Sequence, residues 1–352
     1  MALVTQNSSG HGTDENLLPP EEWVTTLLAP AYRVPGARMT WSPRFHAILR
    51  ECCKDRSADL IHDHGLWLST NRAAASAASA NEIPLIISTR GMLEPWALSH
   101  RSWKKRVAWL LYQQRILRAA CVLHATAQHE VDSLRRLGFC QPIAMIPNGV
   151  DLGHSNAEAM TNTSARIALF VGRIHPVKGL VELVEAWRIA RPYGWKVIIA
   201  GPDEGGHRAL VEERICASGL SADFDFVGTV EGKEKDALFR SADLLVLPSF
   251  TENFGLAVAE ALSYAVPVIT THGTPWADLQ TYDCGWWVAV GVEPLAEAIL
   301  EATSLDNEAR RAMGARGRVY VQRYAWGGIA RQMAALYRWV LGQGSKPDCV
   351  QE

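Results

Sequence analysis

The sequence predicts two doubly wound α/β domains. Three observations predict it. A chain of 352 residues is long enough for two cores. Short apolar, β-branched runs alternate with longer helical patterns, the mark of βα units and parallel sheets. One polar, turn-rich stretch breaks the alternation between Pro147 and Thr163.

In the first half the expected strands are Asp59–His62, Pro84–Ser88, Cys121–His124 and Ile143–Ile146, with helical patterns at Asn71–Asn81 and Ser102–Ala119. In the second half the strands are Arg166–Val171, Lys196–Ala200, Asp225–Val227, Leu244–Pro248, Pro267–Thr271 and Trp286–Val288. Helices fill Gly179–Arg191, Arg208–Ser218, Lys233–Ser241, Gly255–Ala265, Pro294–Thr303, Glu308–Tyr324 and Gly328–Leu341. In Ile146-Pro-Asn-Gly-Val-Asp151, Pro presets φ and Asn-Gly tolerates left-handed angles. The polar residues that follow read as a linker. The expected division is therefore a first domain over 1–150, a linker over 151–164, a second domain over 165–341 and a flexible tail over 342–352.

Composition excludes several classes. Hydrophobic residues make up 48% and charged residues 20%, so the chain can bury sizeable cores. A net charge of −2 gives no basic excess for nucleic acid. No apolar run reaches the ~18 residues of a membrane helix, and Met1 to Glu15 carries no charged-then-apolar signal pattern. Seven Cys are scattered without a CxxC pair, which fits reduced thiols and a cytoplasmic chain better than disulfides or zinc. Gly314-Ala-Arg-Gly317 lies inside a helix, so it is no dinucleotide fingerprint, and no G-x-S-x-G elbow appears.

Ligands of doubly wound sheets sit at the C-terminal ends of strands, near helix N-termini. Two segments place chemistry there. In Phe170-Val-Gly-Arg-Ile-His-Pro-Val-Lys-Gly179 a strand ends, Gly172 allows a close turn, and Arg173 and Lys178 stand at the mouth. A guanidinium can clamp phosphate oxygens and an ammonium adds a point charge; the alternative is two solvated cations beside a turn. In Leu247-Pro-Ser-Phe-Thr-Glu-Asn-Phe-Gly-Leu-Ala-Val-Ala-Glu-Ala261 a buried strand runs into a helix whose first N–H groups, at Asn253, Phe254, Gly255 and Leu256, could cradle a diphosphate. Gly255 removes a side chain where a ligand approaches. Glu252 precedes this helix, able to accept from sugar hydroxyls or simply to favour the dipole. Glu260 lies about two turns on, within reach of a ribose or on a solvated face, although its neighbours are apolar.

The order and spacing of Ile146-Pro-Asn-Gly-Val-Asp151, Gly172-Arg-Ile…Lys178-Gly179 and Glu252…Glu260 resemble the retaining glycosyltransferase family four, also called the glycosyl transferases group 1, over roughly 166–339. Thr274-Pro-Trp276 and Cys284-Gly-Trp-Trp287 look like its bacterial surface-polysaccharide branch. The resemblance implies a GT-B fold: two Rossmann-like domains facing a cleft, the second holding the donor. It implies that Arg173 and Lys178 hold the donor diphosphate, that Glu252 contacts the transferred sugar and Glu260 the ribose, and that Gly228-Thr-Val230 is the loop at the base. It implies no metal and no cofactor, the substrate being a UDP- or GDP-sugar. Asp223-Phe-Asp225 is nominally a DxD but reads as the start of a strand.

The first half resembles the family over about 59–148, through Ile61-His-Asp-His-Gly65 and Ser88-Thr-Arg-Gly91. Arg90 stands where many members carry His, and is expected to face a phosphate or an anionic acceptor. His62 and His64 either orient acceptor hydroxyls or are satisfied structural histidines. Met1-Ala-Leu-Val-Thr-Gln6 looks like the family's second strand, so the first domain is expected to lack its first strand and Gly-rich loop. The expected activity is metal-independent transfer of a hexose, with retention, to a saccharide or lipid-linked acceptor in surface polysaccharide synthesis. The alternative is a non-catalytic subunit that binds nucleotide-sugar or a partner. Finally, 101–118 is basic and amphipathic: Trp103, Val107, Leu110 and Leu117 share one helical face. That face either packs on the sheet or meets the inner face of a membrane.

Overall fold

A computed structural model describes residues 1–8, 22, 24–33, 40–54, 58–94, 102–153 and 165–352. The chain forms two compact units, one of Met1–Ile146 with Arg331–Glu352 and one of Pro147–Ala330. Both are α/β, as the alternating pattern predicts.

The second unit is built on six parallel strands: β8 (Arg166–Val171), β9 (Trp195–Ala200), β10 (Phe224–Gly228), β11 (Leu244–Leu247), β12 (Val268–Thr271) and β13 (Gly285–Val288). Their order across the sheet is β10-β9-β8-β11-β12-β13. The chain thus winds one way from β8, returns, and winds the other way from β11. Helices cover the sheet on both faces, which is why its central strands β8 and β11 read as nearly unbroken apolar runs. Ala168, Leu169 and Phe170 are fully buried, and all four residues of β11 are buried. The helix Leu180–Ala190 turns Leu180, Leu183, Val184 and Trp187 inward at helical spacing, all fully buried.

The first unit holds two sheets. One has strands β1 (Ala2–Ser8), β2 (Thr25–Arg33) and β3 (Thr40–Trp41), with β1 and β2 parallel. The other has β4 (Ile61–His64), β5 (Leu85–Ser88), β6 (Val122–Ala125), β7 (Ile143–Met145) and β14 (Val350–Gln351), in the order β14-β7-β6-β5-β4. The strand that Met1–Gln6 enters therefore belongs to the three-stranded sheet and not to the five-stranded one. The helix Pro43–Cys53 follows Ser42, whose hydroxyl accepts from Phe45 N–H at 3.2 Å, with Pro43 at the first position. The helix Ser69–Asn81 buries a stripe of Ala73, Ala74, Ala77 and Ala78.

Several expectations are corrected. The tail 342–352 is not loose: Val350 and Gln351 pair antiparallel with Ala144 and Ile143 and cover the edge of β7. The chain leaves the first unit after Ile146, not 150, and returns at Arg331, inside the helix Trp326–Val340, so 331–341 does not belong with the second unit. Of the expected linker, 151–153 is part of the second unit, where Gly153 N–H donates to Ser263 Oγ at 3.2 Å; 154–164 lies outside the described residues. Neither Asn148 nor Gly149 takes a positive φ. Gly149 is required for closeness, since a Cβ there would collide with the Trp326 ring. The expected helix Ser102–Ala119 is interrupted by a π-helical turn, Trp109–Gln113, in which Gln114 N–H bonds back to Trp109 O. One inserted residue rotates the face by about 100°. Leu117 is fully buried while Trp103, Val107 and Leu110 face outward, so the four do not share one side.

Candidate active site

In the second unit the winding reverses between the neighbouring parallel strands β8 and β11, and both strands end there in the loops singled out from the sequence. Ligands of doubly wound sheets bind at such a point, at the strands' C-terminal ends. After β8, a Cβ on Gly172 would touch Phe170 and Lys178 Cε at 3.4 and 3.7 Å, so Lys178 folds back over the strand's end. Pro176–Lys178 forms one 3₁₀ turn, and Gly179, at φ 69°, starts the next helix. A Cβ at Gly179 would collide with the carbonyl of Pro248, and Phe250 N–H donates to Val177 O at 2.8 Å. The loops after β8 and β11 are thereby tied together.

That tie brings Lys178 Nζ into a direct ion pair with Glu252 Oε1, both side chains only 13% and 14% exposed. Ser249 Oγ donates to the same carboxylate oxygen at 2.8 Å. Glu252 N–H donates to Gly273 O at 2.8 Å, which fixes the backbone beneath it. Gly255, at φ 79°, turns the chain into the helix Leu256–Ser263 without a side-chain cap. The N–H groups at that end carry the partial positive charge of the helix terminus. Trp276, buried against Phe254, donates its indole N–H to Phe254 O at 2.5 Å. Asn253 Oδ1 is buried with no hydrogen-bond partner among the described residues. Leu256 is exposed beside it.

Glu260 lies in the same helix and is half-buried, its carboxylate accepting from Lys235 Nζ at 2.6 Å. Arg173 stands at the end of β8 but points outward and pairs with Glu204 in the turn after β9. At the end of β10, Gly228 takes φ 79° and its carbonyl accepts from Gly201 N–H at 2.7 Å; Val230 is half-buried two residues on. Asp225 is paired with Lys196 at 3.7 Å on the strand, away from Lys178 and Glu252.

In the first unit, His62 belongs to a chain of hydrogen bonds running through the sheet. Tyr337 Oη lies 2.7 Å from His62 Nδ1, Ser88 Oγ lies 2.7 Å from His62 Nε2 and 2.6 Å from His124 Nδ1, and His124 Nε2 lies 2.9 Å from Ile146 O. Burial pushes the His62 pKa down to about 2 and lowers that of His124, so both rings are neutral. A carbonyl only accepts, which puts the His124 proton on Nε2. Ser88 then donates to His124 Nδ1 and accepts from His62 Nε2–H, and Tyr337 donates to His62 Nδ1. His62 is thus a satisfied structural histidine. His64 stacks on it at 4.3 Å. Burial, with Arg90 next, pushes the His64 pKa down to about 4, and Arg90 donates to its Nδ1 at 3.0 Å. Arg90 sits at φ 52°, an uncommon conformation for an arginine. The Glu130 carboxylate accepts from Thr89 Oγ1 and Gly91 N–H, both at 2.6 Å, and so clamps the chain on either side of Arg90.

Residues 155–320 match the family described as Glycosyl transferases group 1, and residues 3–149 match the Glycosyl transferase 4-like domain. A D-inositol 3-phosphate glycosyltransferase of Corynebacterium glutamicum is 30% identical over 304 residues, 79% of this chain and 72% of the relative. The chain belongs to the glycosyl transferases group 1. This glycosyltransferase is also 26% identical to the GDP-mannose:cellobiosyl-diphosphopolyprenol alpha-mannosyltransferase of Xanthomonas campestris, over 84% of this chain and 78% of that one. Its fold is that of Anabaena HepE, solved with UDP and glucose, at a TM-score of 0.74 and 17% identity, over 96% of this chain and all of the other.

Reading the glycosyltransferase from its sequence places Lys178, Glu252, Asn253, Phe254 and Gly255 together, as the structure does. It does not foresee that Arg173 and Lys178 hold different carboxylates. It misses Ser249, Lys235 and Glu204, each an ordinary polar residue whose partner is set by the tertiary fold. It also misses Ser88, His124 and Tyr337; the last is 275 residues from His62 in sequence.

Proposed function

We propose that this glycosyltransferase moves a hexose from a UDP- or GDP-sugar to a saccharide or lipid-linked acceptor, keeping the anomeric configuration, in the synthesis of surface polysaccharide. The observation that carries the reading is the Lys178–Glu252–Ser249 cluster, packed beside the N-terminus of Leu256–Ser263 at the point where the winding reverses. A diphosphate seated there meets the Lys178 ammonium and the helix N–H groups, and Arg173 can turn from Glu204 to reach it. These positive groups stabilise charge as the diphosphate leaves, without a metal. Glu252, released from Lys178 by the phosphates, accepts from hydroxyls of the transferred sugar. Glu260 takes the two ribose hydroxyls, and Gly228 and Val230 border the base. With Glu252 engaged by the sugar's hydroxyls, attack comes from the face the diphosphate leaves, and its oxygen takes the acceptor proton. The Xanthomonas relative, named for a GDP-mannose donor and a cellobiosyl-diphosphopolyprenol acceptor, supports the substrate class.

The test is a thermal-shift screen of UDP-, GDP- and ADP-sugars on the wild type, Lys178→Ala and Glu260→Ala. One nucleotide class should raise the wild-type melting temperature, and both variants should lose most of that rise. No rise with any nucleotide, or an undiminished rise in both variants, overturns the assignment. Turnover is then followed by the anomeric configuration of the product, where inversion refutes front-face attack and binding without turnover favours a non-catalytic subunit.

A further inference from the structure

The segment that leads into the π-helical turn, together with the first residues of the turn, exposes an amphipathic stripe. Trp103, Val107, Leu110 and Leu111 fall at positions i, i+4, i+7 and i+8, the spacing of one helical face. They are 67%, 49%, 76% and 69% exposed. Leu68 adds a further exposed leucine on the loop before Ser69–Asn81. In an ordinary surface helix such a stripe packs inward, and here the π-helical turn has changed which face does so. Gln113 at the end of the turn, and Ile116 and Leu117 beyond it, are buried against the core, while the stripe is left outside.

The charge around it has one sign. From Pro95 to His129 the sequence holds six Lys and Arg and no Asp or Glu, in a chain whose net charge is −2. Arg106, Arg115 and Arg118 are exposed. Lys105 and Arg72 lie over the rings of Trp67 and Tyr112, at 5.9 and 5.6 Å. A second protein that buried this stripe would need a matching acidic rim. An anionic bilayer supplies a uniform negative plane over an apolar layer, with room for Leu and Trp at the boundary and for Arg among the headgroups.

We propose that Ser102–Ala119 is a membrane-docking face: it lies along an anionic lipid surface, with Trp103, Val107, Leu110 and Leu111 inserted at the acyl boundary and Arg106, Arg115 and Arg118 on the headgroups. No helix among the described residues is long and apolar enough to cross a membrane, so contact of this face is peripheral. The inference does not rest on the donor assignment; it requires neither nucleotide nor turnover.

The experiment is sedimentation of the full chain with vesicles of phosphatidylcholine alone or with about one-third phosphatidylglycerol, at low and high salt. The wild type should partition onto the anionic vesicles and be released by salt. Two variants are compared, Leu110→Gln with Leu111→Gln, and Arg115→Gln with Arg118→Gln. All four positions are exposed, so folding should be retained, and a melt monitored by circular dichroism checks it. Each pair should lower partitioning about tenfold or more. Equal binding to neutral and anionic vesicles, or undiminished binding by both variants, overturns the proposal. So does a wild type that ignores vesicles but forms a dimer that Leu110→Gln with Leu111→Gln dissociates, since the stripe would then be a contact between copies.

Discussion

Lys178 and Glu252, which the proposed function places at the donor, form an ion pair that is nearly shielded from water. Replacing Lys178 by Ala leaves a carboxylate with one remaining donor, Ser249 Oγ. We expect a stability loss of about 2 kcal/mol, read from denaturant unfolding of the unliganded protein, while Lys178→Ala with Glu252→Gln recovers part of it. The histidine relay gives a prediction of opposite character. A free imidazole takes a proton near pH 6.5, but His62 in the fold resists to about 2. Its folded pKa is depressed, so stability is full above about 6.5 and declines as the pH falls below that, by up to about 1.4 kcal/mol per pH unit. His64, depressed to about 4, acts in the same direction, whereas burial raises the Asp63 carboxyl to about 6 and so favours the fold on acidification. Comparing the wild type with His62→Asn isolates the first effect: between pH 6.5 and 4 the wild type should lose stability more steeply, and parallel curves would remove His62 from the account. At this scale the sequence was legible where residue type and local context coincide. Glycine before an apolar helix and acid before its start can be read within ten residues. A tyrosine hydrogen-bonded to a histidine from the other end of the chain cannot, because nothing local distinguishes Tyr337 from any other helical tyrosine.

Among elements, the helix Leu256–Ser263 is held at the right depth by glycines that carry no chemistry of their own. A Cβ at Gly314 would overlap the carbonyl of Ala265, and one at Gly317 would press on Leu262, so the helix Asn307–Val321 can only pack this closely where side chains are absent. The pair that does not make a dinucleotide loop thus makes a close helix crossing. Gly314→Ala should cost about 2–3 kcal/mol by chemical denaturation and weaken nucleotide binding through displacement of Glu260, whereas Gly328→Ala, whose Cβ would meet nothing nearer than Arg323 O at 3.9 Å, should cost less than half as much. The parallel strands were readable because strands covered on both faces must be apolar throughout, as β8 and β11 are. The π-helical turn was not. Its insertion leaves composition and period intact over the four residues on each side, and only the tertiary packing of Gln113 and Leu117 reveals which way the later turn faces.

For the whole molecule, β14 closes an edge. Met145 N–H donates to Cys349 O at 2.8 Å and Arg135 to Gln351 O at 3.1 Å. Truncation after Ser345 should expose β7 and lower the stability of the first unit by about 1–2 kcal/mol, while leaving the thermal shift from nucleotide unchanged. The expected division of the chain placed its end in the second domain and left the tail loose, because a two-residue strand has too little pattern to be seen. The first unit joins Met1–Ile146 to Arg331–Glu352, whereas the second is one uninterrupted stretch. A chain emerging from the ribosome therefore holds every residue of its later lobe before the earlier one has its last strand and the Tyr337 hydroxyl. A fragment ending at Ala330 should already protect the lobe built on β8 and β11 from protease, and the amino-terminal lobe should gain full protection only when residues 331–352 are present.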